Sequence, residues 1–360
     1  MKTKTIILLL FGCTFFGVGL VSVLFLLSEE KMQRNNAFQR RYVPHPIALE
    51  ATYLLPYNSY YIAGIDATKI YLGNVTSPLH IAVLDNRLKG METYQVSLED
   101  REMPFRHLRT TIQDSSIYLS DGTVPVIFRG TKDSLSAQVY MKDVAFFSQL
   151  QAVGSHRFVI RSLDSENYEH MLALLSISSS GVKFQANKDL LEKQFDGFFD
   201  TDGMLLYNKN LDRIVYVYYY KNSYVVIHTD LQLDYVGKTI DTVATAQLDV
   251  IEDKAVRKLG SKTLRINGKS FTYSDYLFIT SNRLGRYESE AMLDEATIVD
   301  VYSLTEGIYL FSFYVYHVNG QKLDDFYLTD DLLVTIQGKS LQTYRLDNTY
   351  FKNLPKHTAR

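Results

Sequence analysis

Cysteine is all but missing from this chain. Cys13 is the single thiol in 360 residues, so nothing after it can form a disulfide, a thiolate metal site or a cysteine nucleophile. Tryptophan is absent, which removes the Trp-Asp dipeptide of one common repeat architecture. With only 7 prolines, little interrupts a backbone ladder. Charge of one sign is also lacking: 38 Lys and Arg stand against 40 Asp and Glu, a formal net charge of -2. No overall basic field exists to hold phosphates, so no nucleic-acid partner is expected.

What is present favours strands. The 27 Tyr and 20 Phe, with Ile, Val and Thr throughout, suit half-buried pleated ribbons. Six times a few polar or turn residues give way to a short apolar run: Ile70-Tyr71-Leu72, Ile117-Tyr118-Leu119, Phe158-Val159-Ile160, Leu205-Leu206-Tyr207, Tyr276-Leu277-Phe278 and Leu332-Leu333-Val334. The first four starts keep the roughly 40 to 50 residue period of propeller blades, and the next two intervals are longer and require insertions. Asp249 to Asn267, charged and without alternation, reads as one insertion, on blade five.

The clearest local element is a hairpin from Arg213 to His228, with Lys221-Asn222 as a two-residue turn and Asn222 suited to positive φ. Ile214, Tyr216, Tyr218 and Tyr220 face one way and Val215, Val217 and Tyr219 the other, so both faces demand cover. Stacked blades supply it. Asp121-Gly122 marks a second hairpin, and the last strands, ending at Leu346, are expected to pair with Ala51 to Leu55 and close the ring. Lys188 to Gln194 and Glu288 to Glu295 read as short helices.

Thr5 to Leu27 contains no charged residue. A helix of that length reaches roughly 34 Å, enough for a hydrocarbon core of about 30 Å. The reading is an uncleaved signal-anchor. A cleaved signal would have a shorter apolar region ending in small residues, and Leu10-Phe11-Gly12-Cys13 only partly matches a lipoprotein box. Lys31, Arg34, Arg40 and Arg41 after the segment outnumber Lys2 and Lys4 before it, which by charge count alone puts the C-terminal side inside. A short basic start before an apolar run has the form of an export signal, and long domains translocate largely regardless of charge. The large domain is therefore placed outside the cytoplasm, at a bacterial cytoplasmic membrane. The expected order is a cytoplasmic tail at 1–4, the membrane segment at 5–27, a polar tether at 28–46, the β-domain at 47–350 and a C-terminal tail at 351–360.

Tyr60-Tyr61-Ile62-Ala63-Gly64 before Ile70-Tyr71-Leu72-Gly73-Asn74, the pair Asp300 to Leu304 and Tyr309 to Tyr314, and the ending Asp325-Phe326 to Leu332-Leu333-Val334 resemble exported bacterial six-bladed β-propeller proteins. The resemblance covers most of Ala51 to Leu346. It implies an all-β, six-bladed ring, with seven blades left open, and brings no reaction with it.

Candidate chemistry is sparse. Asp196, Asp200 and Asp202 hint at calcium ligands, but the loop from Asp200 offers Met204, Leu206 and Asn208 where an EF-hand needs oxygen donors, so a turn opening a blade fits better. His45, His80, His107, His156, His170, His228, His317 and His357 form no close pair. No G-x-S-x-G elbow exists, and Gly338-Lys339-Ser340 lacks the upstream glycine of a phosphate loop and reads as a hairpin turn. Arg283, Arg286, Glu288 and Glu290 form a charged loop that could line a ligand face or simply be solvated. Asn74-Val75-Thr76 fits a glycosylation acceptor, a match relevant only in a eukaryotic secretory pathway. No catalytic, cofactor or metal residue is assigned. The expectation is a binding or scaffold module for a protein, peptide or envelope ligand. The alternative is a hydrolase or lyase at the mouth of the channel.

Overall fold

The computed structural model describes residues 3–34, 37–100, 103–253, 256–352 and 354, and within its first helix the side chains of residues 5, 7, 9–24 and 26. Apolar and aromatic residues at period two build six antiparallel sheets, and neighbouring sheets pack face to face around an axis to form a six-bladed β-propeller. From the axis outward, blade one is Tyr60–Ile65, Lys69–Asn74, His80–Asp85 and Met91–Gln95. Blade two is Arg109–Gln113, Ser116–Asp121, Val126–Thr131 and Ser136–Lys142, with Ser97–Leu98 added in parallel at its rim. Blade three is Gln149–Gly154, Arg157–Leu163, His170–Ser178 and Gly181–Asn187. Blade four is Gly203–Asn208, Arg213–Tyr218, Ser223–His228 and Leu233–Lys238. Blade five is Ser270–Tyr273, Tyr276–Ser281, Ala296–Ser303 and Ile308–Tyr316. Blade six takes Asp325–Thr329, Leu332–Gln337 and Ser340–Leu346 from the C-terminal end and Ile47–Leu54 from the N-terminal end.

That last pairing closes the ring where the sequence expects it, with Ala51 opposite Thr343 and Leu54 opposite Ser340. Closure joins the two ends of the domain within one blade, and each blade keeps only a short outer edge. Five of the six apolar runs mark the second strand of a blade. Leu205-Leu206-Tyr207 instead lies on the inner strand of blade four, whose second strand starts at Arg213. The longer intervals hold the expected insertions. A hairpin of Val250–Asp253 and Val256–Leu259 lies between blades four and five, and a loop ending in a short helix, Ala291–Glu295, lies within blade five.

Six apolar clusters sit between the six pairs of neighbouring blades. The tyrosine ribbon shows why both faces are apolar. Ile214, Tyr216 and Tyr218 pack against Val159, Leu172 and Leu174 of blade three, while Val215 and Val217 pack against Leu277 and Ile279 of blade five. Each such side chain removed from water contributes about 1.5–3 kcal/mol.

The turn of that ribbon differs from the two-residue reading. Pairing stops at Val217 opposite Tyr224 and the turn holds Tyr219 to Asn222; Asn222 is not at positive φ. Tertiary partners stretch it: the Tyr219 carbonyl accepts from the N–H groups of Ile266 and Asn267, at 2.8 and 3.1 Å, and Lys221 is buried against Glu192 at 2.8 Å. The Asp121-Gly122 hairpin also has a longer turn, since Asp121 pairs with Val126. Its Asp121 carboxylate accepts the N–H groups of Thr123 and His107, at 2.9 and 2.6 Å. Burial would raise that carboxyl, but these donors hold it at about 2. Gly122 is required there because a Cβ would lie 1.8 Å from the Phe147 carbonyl oxygen.

Four expectations need correction. Lys188 to Gln194 forms no helix, and the helix expected over Glu288 to Glu295 is confined to Ala291–Glu295. The second half of the presumed tether is docked on blade five: Phe38 is buried, Tyr42 stacks on Tyr314 at 4.4 Å, and the Ser312 N–H donates to the Arg41 carbonyl at 2.9 Å. The presumed C-terminal tail begins with Phe351, which is fully buried. Residues 1–2 and 355–360, including His357, lie outside the described residues.

The N-terminal helix runs Thr3–Arg34. Its described apolar side chains, among them Phe11, Phe15 and Phe16, are exposed. Among the described residues no helix is long and apolar enough to cross a membrane. Part of the expected span, Thr5 to Leu27, lies outside the described side chains.

Candidate functional site: the central channel

One face of each inner strand looks onto the axis rather than onto a neighbouring blade. In Arg109–Gln113 the alternation is plain: Thr110 and Ile112 are buried, whereas Arg109 and Thr111 are exposed. Together the inner strands enclose a channel of about 580 Å³, within the range of small-ligand sites.

At one end of the channel Asp325 ties three blades together. Its carboxylate accepts the Ile62 N–H of blade one at 3.0 Å and lies 3.1 Å from the Lys269 ammonium just before blade five. Nearby, the Arg109 guanidinium lies over the Tyr61 ring, 4.7 Å from its centroid. The Tyr61 hydroxyl accepts from the Thr110 N–H at 2.7 Å, and burial pushes its pKa up. Phe271 and Tyr327, from blades five and six, form an aromatic wall with ring centroids 4.2 Å apart. Burial pushes the Tyr327 hydroxyl up to about 12, so it remains a neutral donor at physiological pH. At the other end Lys209 pairs with Asp114, and the Tyr273 hydroxyl donates to Asp330 at 3.1 Å.

No histidine, cysteine or glutamate is among the described residues lining the channel. The charged lining residues are Arg109, Asp114, Lys209, Lys269 and Asp325. Two cation–carboxylate pairs account for four of them. Such a site can bind and orient a ligand.

The residues weighed from sequence lie elsewhere. Among the described residues no three metal-ligating side chains cluster. His80 meets the Tyr60 hydroxyl at 2.9 Å, His317 meets Thr297 at 3.1 Å, and His228 lies 3.8 Å from Asp234. Asp200 accepts the N–H groups of Gln194 and Phe195, both at 2.5 Å, Asp202 pairs with Arg161, and Asp196 accepts from the N–H groups of Phe198 and Phe199. The charged loop is not solvated throughout. Arg283 is buried against Asp241 at 2.6 Å and Glu288 against Arg40 at 2.8 Å, while Arg286 and Glu290 are exposed.

His170 gives a pH prediction. It is buried, stacks on Phe198 at 4.8 Å and meets the Thr201 hydroxyl at 3.2 Å. Burial, then the Arg161 charge, pull its pKa down from 6.5 to about 4, with Asp202 and Asp196 opposing. The unfolded chain therefore binds this proton more readily. The contribution is full above about pH 6.5 and is lost as pH falls toward 4, on the order of 3 kcal/mol at most. Urea midpoints at pH 7 and 4.5 are expected to converge in His170→Gln relative to the parent. An unchanged pH slope would refute this.

Arg109, Lys269 and Asp325 escape sequence reading because they lie far apart in the chain. A usable signal exists only in hindsight: a weakly apolar alternating run such as Arg109-Thr110-Thr111-Ile112-Gln113 immediately before a strongly apolar strand.

No family model matches the chain, and none of the curated proteins does. Solved structures do. A Bacteroides fragilis protein described as exported superposes with TM-score 0.53 at 8% identity, over 87% of this chain and 99% of that one. A member of the duf4221 family from Bacteroides vulgatus gives 0.52 at 12% identity, over 84% and 98%. A streptogramin B lyase gives 0.50 at 9% identity, over 84% and 98%. At such identities the likeness carries the propeller fold and nothing about chemistry.

Proposed function

We propose that this protein is a non-catalytic propeller held at the outer face of a bacterial cytoplasmic membrane by its N-terminal helix, and that it binds a protein, peptide or envelope ligand at its central channel. The observation that carries the reading is the channel itself: open, about 580 Å³, walled by aromatics, and without a described histidine, cysteine or glutamate. The exposed Phe11, Phe15 and Phe16 support anchoring, because bare apolar side chains on a helix need an apolar surrounding. The Bacteroides fragilis neighbour is itself described as exported.

Two experiments test the reading. Protease added to intact spheroplasts is expected to digest the propeller; digestion only in inverted vesicles would overturn the orientation, and release of the chain by alkaline carbonate would overturn the anchor. The full chain in nanodiscs is then screened for thermal stabilisation by peptides and envelope fragments, with each compound followed by mass spectrometry. Stabilisation without conversion supports a binding module. Multiple-turnover conversion would establish the hydrolase or lyase instead.

A further inference from the structure

Among the charged side chains of the channel, Arg109 alone has no oppositely charged partner within the described residues. Lys269 is neutralised by Asp325 and Lys209 by Asp114. Arg109 instead rests on the Tyr61 ring, with its side chain exposed to the channel. Stacking occupies the face of the guanidinium and leaves its N–H fork free, and that planar fork matches a carboxylate in a two-point contact. In ring order blade two lies opposite blade five, so this fork stands across the axis from Phe271, which is in contact with Tyr327. The site thus combines one uncompensated positive charge with a flat aromatic wall, separated by a cavity of small-ligand size.

We infer that the channel binds a monocarboxylate with a flat apolar body, Arg109 taking the carboxylate and Phe271 with Tyr327 taking the body. The single unpaired charge matches a singly charged acid. A free aromatic acid and the terminal carboxylate of a peptide ending in an aromatic residue share this chemistry. The inference rests on the binding reading above and narrows it to a ligand class.

The probes are phenylacetate, its neutral isostere phenylacetamide, and the dipeptide Gly-Phe with free or amidated C-terminus, each titrated by ligand-observed NMR against the full chain in nanodiscs. Phenylacetate is expected to bind about tenfold more tightly than the amide, as for a charge-assisted hydrogen bond. Arg109→Gln is expected to erase that preference, and Phe271→Ala to weaken both. Because Arg109 is exposed, an unchanged thermal midpoint verifies that the variant is folded. Preference for the free-ended dipeptide over phenylacetate identifies a peptide terminus as the source, and the reverse a free acid. Equal affinity for acid and amide, or a preference that survives Arg109→Gln, overturns the carboxylate assignment and leaves the binding reading standing. Absence of carboxylate binding at millimolar concentration overturns it as well. Conversion of a probe would sink the binding reading instead.

Discussion

Arg40→Ala is expected to destabilise the protein by about 3–5 kcal/mol, the cost of leaving buried charges unpaired. The Arg40 side chain is 1% exposed and its partners Glu288 and Asp300 are 8% and 4% exposed. Its Nε and Nη2 donate to the two Asp300 oxygens at 2.6 and 3.1 Å, and its Nη1 donates to Glu288 and to the Arg283 carbonyl, both at 2.8 Å. Burial by itself pulls the guanidinium pKa down, but Asp300 and Glu288 more than restore it, so the group stays charged. Truncation strands two carboxylates in a site water does not reach. Lysine cannot reproduce the fork, so Arg40→Lys is expected to recover only part of the loss. Urea unfolding at constant m measures the effect, and a loss below about 1 kcal/mol would show that water or rearrangement replaces the guanidinium. The consequence reaches beyond stability. Arg40 lies in the segment between the N-terminal helix and the ring, so this network fixes where the chain leaves the propeller.

Phe351→Ala is expected to cost a similar amount, about 3–5 kcal/mol, through lost burial and the cavity left behind. The Phe351 ring is fully buried among Phe311 at 5.3 Å, Tyr276 at 5.7 Å, Phe278 at 6.0 Å and Phe313 at 6.2 Å. These belong to the cluster that joins blades five and six, so the ring of Phe351 fills the seam beside the closing blade. Phe351→Leu, which leaves a smaller void, is expected to cost no more than about 1.5 kcal/mol. Chemical denaturation of both variants provides the check. Equal midpoints for the alanine and leucine forms would mean the seam collapses freely and the residue is no keystone.

How much could be read beforehand follows from the range of the interactions. Strand pairs such as Ile70 to Leu72 with His80 to Leu84 were legible because period two and β-branched residues act over a few neighbours. The need for cover on both faces of Ile214 to Tyr218 was legible for the same reason, and it led to stacked blades. Lys188 to Gln194 misled because its local helical pattern competes with side chains that blade three and blade four claim: Leu190 and Leu191 are buried in the cluster joining those blades. The tether misled because its charges looked solvated, whereas Asp300 and Glu288, some 250 residues onward, draw Arg40 inside.

The candidate site was the least legible part. The channel lining is drawn from short strands scattered along the chain, and Arg109, Lys269 and Asp325 look like ordinary surface charges when read alone. Only the ring brings them to one axis, pairs two of them and leaves the third without a counter-charge among the described residues.

The amino-acid sequence alone settled the ribbons, their two-sided burial and the absence of thiol chemistry beyond Cys13, since each depends on local periodicity or composition. Tertiary structure decided the blade count, the burial of Arg40 and Phe351 and the electrostatic balance of the channel. Those depend on which distant groups share a low-dielectric space, and the free energy of a buried charge or ring is set by its neighbours in space.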